Sequence, residues 1–220
     1  MSEAMTGNQE GVDRLMRGMP SLDHLEISLR SKRDLGKLLG VHAQPSGRAR
    51  QIADGYVRLV EKAILEYMEA RSNLIDFLAD GTADHLHRAQ DHFESCIQAL
   101  HRALIYFDRL RNFGYKRQDG TPFIPRPREL EVLRETVRKP VRNMRDAMEH
   151  LDNDILDGTL PEDSPTGPHL DWDIAMLGAH KLRYADVTRW IEQLHEFAAL
   201  LSRVHLQIGP APAAGSESAV

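Results

Sequence analysis

Between Arg128 and Leu156 the chain reads RELEVLRETVRKPVRNMRDAMEHLDNDIL. Leu130, Leu133, Val137, Val141, Met144, Met148, Leu151 and Ile155 follow one another at steps of three or four. That period keeps apolar groups on one side of an α-helix, so one helix is predicted over about 128–156. Pro140 falls inside the run; its ring removes a backbone donor and is expected to kink the helix there. The same pattern continues on both sides. Ile52, Tyr56, Leu59, Ala63, Tyr67, Leu74 and Phe77 predict a helix over about 48–79, with Gly81 as its stop. Leu86, Phe93, Ile97, Leu100, Leu104, Phe107 and Leu110 predict a second, capped by Thr82 and ended by Gly114. Cys96 sits beside Ile97 on that stripe and reads as core packing. Val187, Trp190, Leu194, Phe197, Leu201 and Val204 predict the last helix, over about 186–207.

The remaining stretches are connections and ends. Leu22–Leu39 carries a weaker helical pattern, closed by Gly40 and a loop through Pro45 and Gly47. Residues 1–20 mix Gly, Asn, Gln and Met without period and are expected to be a flexible lead-in; 209–220 is a disordered tail by composition. Proline-rich loops fall at 120–127 and 157–168, and Trp172–Tyr184 leaves room for a short hairpin around Gly178. The expected fold is all-α. It is an up-down bundle of four long helices with a short extra N-terminal helix, in a single domain over 21–208.

Composition narrows the function. With 220 residues, 41% hydrophobic and 28% charged, the chain can bury one core. Its net charge of −5 repels phosphate mildly, so any nucleic-acid contact must come from a local patch. A single cysteine excludes an internal disulfide framework and a cysteine-rich zinc site. Even the longest uninterrupted apolar runs, such as Phe197–Leu201, are far short of the roughly 20 residues of a membrane span. Met1–Glu10 carries no cationic segment followed by an apolar one, and a cytoplasmic protein is expected. No phosphate loop, dinucleotide fingerprint or nucleophile elbow occurs.

Charge is distributed unevenly. Arg109–Arg145 holds eleven basic and four acidic side chains, whereas Asp146–Asp163 holds seven acidic residues and no Lys or Arg. A helix macrodipole favours the reverse order by about 0.3–1 kcal/mol per charge. The pattern points to the field of a ligand or partner, or else to a solvated face laced by pairs such as Arg145–Glu149 and Arg142–Asp146. Phe113, Tyr115 and Phe123 lie among Arg109, Arg111, Lys116, Arg117, Arg126 and Arg128. Cations for phosphates interleaved with rings for bases suit single-stranded RNA; the alternative is that the rings anchor a loop to the core.

The segment Arg145-Asp146-Ala147-Met148-Glu149-His150 resembles the signature of the HEPN (higher eukaryotes and prokaryotes nucleotide-binding) domain family. That signature is an arginine and a histidine separated by four to six residues, the first of them commonly Asn, Asp or His. The resemblance implies an all-helical fold with the motif on a late helix, and two copies meeting at a dimer interface. It also implies a metal-independent endoribonuclease of toxin–antitoxin or phage-defence type, with no cofactor. Arg145 and His150 would be its catalytic pair, with Asp146 or Asn143 orienting His150. Arg142, Arg138, Arg117, Lys116 and Tyr115 would contact the RNA.

Residue chemistry agrees with that assignment. A histidine near its ordinary pKa of about 6.5 can move a proton to or from a ribose or leaving oxygen, and a permanently charged guanidinium fork suits phosphoryl oxygens. Five residues at about 100° each place Arg145 and His150 roughly 140° apart, while Asn143, Asp146 and His150 share a face. One protomer therefore does not form a compact site, and a homodimer is expected.

Two rival readings exist. Glu192 and His195 have the Glu-x-x-His spacing of a carboxylate-bridged di-metal bundle, with Asp84 and His87 as the nearest second pair. A non-catalytic adaptor, antitoxin or nucleotide-binding bundle would use the acidic run for a basic partner.

Overall fold

The computed structural model describes residues 2–38, 47–112, 130–159 and 166–202. Two long helices, α3 (Gly47–Asp80) and α4 (Ala83–Asn112), fold back on each other through Gly81. That residue takes φ +74°, a left-handed backbone that a side chain would disfavour, which ends the helix at the position its sequence marked. Along their contact Tyr56 meets Phe107 at 5.5 Å between ring centroids, and Phe107 meets Phe197 edge-on at 5.1 Å. The Tyr56 hydroxyl donates to the Leu194 carbonyl at 2.6 Å, tying α3 to α6 (Tyr184–Ser202) inside the core. Cys96 is fully buried, as its stripe position implies, and burial pushes its thiol pKa well up.

The tight helix contacts run from α6 to α3, from α3 to α4, and from α4 to α5 (Glu135–Leu156). Val137, Val141, Met144 and Met148 are the buried face of α5. Three short strands fill the space before α6: β1 (His169–Leu170), β2 (Ile174–Leu177) and β3 (His180–Arg183), antiparallel in that order. Ala175 pairs with Leu182 and both are buried. The turn between β2 and β3 passes through Gly178 at φ +54°, so the hairpin expected around that glycine is present. β3 packs against α5. The chain is thus mostly helical with a small antiparallel sheet.

Two expectations are corrected. Residues 1–20 are not a structureless lead-in. α1 (Ser2–Gly18) is helical and packs on α3, with Leu15 and Met19 buried. The missed signal is a sparse stripe, and α1 is held by tertiary contact more than by its own pattern. The helix predicted from Arg128 begins instead at Glu135. Glu131–Leu133 forms a 3-10 turn, and Arg134 is extended (φ −73°, ψ 146°), which breaks the run. Pro140 lies in the second turn of α5. Trp172, between β1 and β2, is half-buried: the Arg14 guanidinium stacks 5.0 Å from its ring centroid, and Gly11 lies beneath the ring edge. The weak helix of 22–39 is α2 (Leu29–Leu38), preceded by a buried Leu22. The loop at 120–127 and the tail at 209–220 lie outside the described residues.

Gly18 allows α1 to approach the sheet. A Cβ there would stand 2.1 Å from the Trp172 carbonyl oxygen, and backbone cannot swing away. At Gly55 the nearest atoms to a Cβ would be those of the half-buried Tyr106 ring, at 2.5 Å, and a ring can rotate. Gly18→Ala is therefore expected to lower stability in urea unfolding by about 1–3 kcal/mol, and Gly55→Ala by less.

Candidate functional site on helix α5

α5 is amphipathic because its apolar residues recur at helical steps and its charges fill the rest. The helix presents two polar flanks. Toward α4 lie Arg138 and Arg145; on the outer flank lie Lys139, Asn143 and His150, and Asp146 falls between the two, all separated from the buried stripe by the helical rotation.

Every arginine assigned to the site on this helix already holds a carboxylate. Arg145 donates from Nη1 to Asp146 and from Nη2 to Glu149, each at 2.6 Å. Arg142 reaches Glu135 at 3.2 Å. Arg138 pairs with Asp108 of α4, which Arg111 also approaches at 3.6 Å. Of the solvated-face pairs expected, Arg145–Glu149 forms, whereas Arg142 bonds back to Glu135 instead of Asp146. Exposed pairs of this kind contribute little to stability. They do shield the basic half of α5, and a phosphate must displace or share these carboxylates.

His150 is exposed, Arg145 keeps 30% of its side chain accessible, and Asn143 and Asp146 are half-buried. Within one protomer the structure does not bring Arg145 and His150 together. It joins Arg145 to Asp146, and leaves His150 on the opposite flank. Lys116, Arg117 and Tyr115 lie outside the described residues.

Across the seam from Arg145 stands a residue that sequence reasoning did not single out. His101 of α4, half-buried, faces Arg145, Asp146, Glu149 and Arg142. Burial, together with Arg145 and Arg142, holds its imidazole below the ordinary value of 6.5, against the pull of Asp146 and Glu149. No motif spacing marks it, because it is 44 residues away in sequence from Arg145.

The metal rival finds no assembled site. His195 is buried with its Nε2 N–H donating to the Glu26 carbonyl at 2.9 Å, and Glu192 contacts His24 at 3.3 Å. Asp84 and His87 sit exposed at the start of α4. Among the described residues no group of three or more His, Cys, Asp and Glu side chains converges as a metal ion requires. A cleft of about 210 Å³ between α2 and α3 is lined by Arg30, Arg33, Asp34, Asp54, Val57 and Arg58. Its buried cation is committed to structure: Arg33 bonds Asp54 at 2.7–2.8 Å and the Leu201 carbonyl, clamping α2 to α3 and α6. Among the described residues no helix is long and apolar enough to cross a membrane. Comparison with protein-family models, with curated proteins and with solved structures gives no match.

The depressed His101 imidazole has a consequence for stability. Well above pH 6.5 it is neutral folded and unfolded, and contributes no pH dependence. As pH falls through 6.5 the unfolded chain takes the proton more readily, so stability falls until the folded imidazole titrates as well. Urea midpoints measured from pH 8 to 5 should therefore decline below 6.5, and His101→Gln should flatten the part of the decline that precedes carboxylate titration.

Proposed function

We propose that the chain is a metal-independent endoribonuclease of the HEPN type, acting as a cytoplasmic homodimer in growth control or defence, with an antitoxin or other defence protein as its partner. The observation that carries this reading is on α5. His150 stands exposed on the same polar face as Asn143 and Asp146, one turn beyond a motif arginine that keeps part of its guanidinium accessible. In this reading α3, α4, α5 and α6 are the up-down bundle of that family, elaborated by the sheet before α6.

The charge order of α5 favours self-association. Lys139 and Arg142 lie toward its start, and Glu149, Asp154 and Asp157 toward and just past its end. Two copies laid antiparallel about a twofold axis place unlike charges opposite each other and bring each His150 toward the partner's polar face. Cleavage then needs only the RNA's own 2′-hydroxyl. It loses its proton to an imidazole, bonds to the adjacent phosphorus and expels the 5′-oxygen, which is protonated in turn. The products are a 2′,3′-cyclic phosphate and a 5′-hydroxyl. Arg145 supports the phosphoryl oxygens, Asp146 or Asn143 orients His150, and Arg142, Arg138, Arg117, Lys116 and Tyr115 carry the flanking RNA.

A second reading, a non-catalytic adaptor or nucleotide-binding protein, draws on a different observation. Arg138, Arg142 and Arg145 are all ion-paired, and the exposed Ile155 and Leu156 lie among Asp152, Asp154 and Asp157. That end of α5 suits a basic, partly apolar partner.

Incubation of end-labelled RNA with the purified chain in EDTA separates the two. The nuclease reading expects cutting that survives EDTA, a dimer by light scattering, and a loss of about 10²–10⁴-fold in His150→Ala. Cutting by the alanine variant at the wild-type rate removes the site assignment; intact RNA from a dimeric wild type favours the adaptor.

A further inference from the structure

The Arg138–Asp108 ion pair fixes the offset of two helices that are packed side by side, α5 and α4. Seven residues make about two turns and return a side chain to nearly the same face. Seven forward from Arg138 on α5 is Arg145, and seven back from Asp108 on α4 is His101. The antiparallel seam that seats Arg138 against Asp108 therefore seats Arg145 against His101. His101 is half-buried there, facing Arg145, Asp146, Glu149 and Arg142 of α5. Arg145, gripped by Asp146 and Glu149, thus lies across the seam from the His101 imidazole, close enough for these charges to act on it.

We propose that His101 is the proton acceptor of the RNA-cleaving site, working beside Arg145 of its own protomer; this rests on the nuclease reading above. The 2′-hydroxyl proton passes to a ring nitrogen of His101 as the 2′-oxygen bonds to phosphorus. The bond from phosphorus to the 5′-oxygen breaks, and that oxygen takes its proton from His150 of the partner subunit acting as the acid. Arg145 faces the charge on the phosphoryl oxygens, and no further reactant is consumed. The seam suits the role. Burial and the two arginines keep the imidazole neutral near pH 7, as an acceptor must be, while Asp146 and Glu149 help it hold the proton once taken. The site then has two unlike histidines, one half-buried and one exposed.

The test is a pH–rate profile of RNA cleavage in EDTA for the wild type, His101→Gln, His101→Asn and His150→Ala. The expected result is a fall of about 10²–10⁴-fold in kcat/KM for both His101 variants. Their residual activity should lose the rise in rate on the acid side of the profile, with circular dichroism unchanged. His101 variants that cleave at the wild-type rate and keep the acid limb, beside an inactive His150→Ala, overturn the proposal and leave the nuclease reading standing. A wild type that cuts no RNA at any pH overturns both. Should either His101 variant fail to fold, the wild-type chain still decides the matter by NMR. Single-stranded DNA of the substrate sequence, which lacks the 2′-hydroxyl and stays intact, is expected to shift the His101 ring resonances. Unmoved resonances at saturation overturn the proposal.

Discussion

The antiparallel pair of α3 and α4 is the constraint on which the rest is built. Both helices bury a stripe that includes large aromatics, and the rings of Tyr56, Phe107 and Phe197 interlock across it and onto α6. Burying such side chains contributes about 1.5–3 kcal/mol each, far more than any surface ion pair here. Once that pair is formed, α6 has a place on α3 and α5 a place on α4. The Tyr56 hydroxyl then adds a second donor to the Leu194 carbonyl inside α6, and the Arg33 guanidinium supplies one to the Leu201 carbonyl in its last turn, where no intrahelical N–H reaches. Polar contacts in this core act as locators: each costs desolvation, and each specifies which turn of one helix faces which turn of another.

The seam between α4 and α5 follows the same logic. Asp108 holds Arg138, and the offset this sets carries the next polar groups into register two turns away. Arg145 is consequently not a free surface cation. It is gripped by Asp146 and Glu149 and faces an imidazole from another helix. Such a grip lowers the charge offered to a phosphate and raises the geometric definition of the guanidinium. The acidic half of α5 has the opposite character, with carboxylates crowding the carbonyl end of the helix, where the macrodipole disfavours them. Stability alone does not select that order.

Sequence pattern and structure part company at identifiable places. Stripes of three- and four-residue steps located α3, α4, α5 and α6 because long buried faces leave a strong period. Gly81 and Gly178 marked a helix stop and a hairpin because a left-handed backbone favours glycine. The start of α5 was misplaced because Leu130 and Leu133 continue the apolar rhythm while the backbone does not; the extended Arg134 is a local conformational choice that periodicity cannot register. α1 was missed because its anchors, Leu15 and Met19, are few, and its closest approach depends on two glycines meeting Trp172. In the candidate site, Arg145, Asp146 and His150 stood out as a spaced motif on one helix. His101 did not, since nothing local distinguishes a histidine that will face an arginine from one that will face water.

From the amino-acid order alone came the helical character of the chain, the positions of its long helices, the burial of Cys96, and the angular separation of Arg145 from His150. All four are consequences of local geometry, where 3.6 residues per turn convert spacing directly into direction. Only the tertiary structure decided that α1 belongs to the folded body, that Arg138 and Arg142 are spent on carboxylates, and that His101 is the imidazole across from Arg145. These depend on the offset between helices, and that offset is set by how side chains interlock after the helices meet, a quantity that no single helix contains.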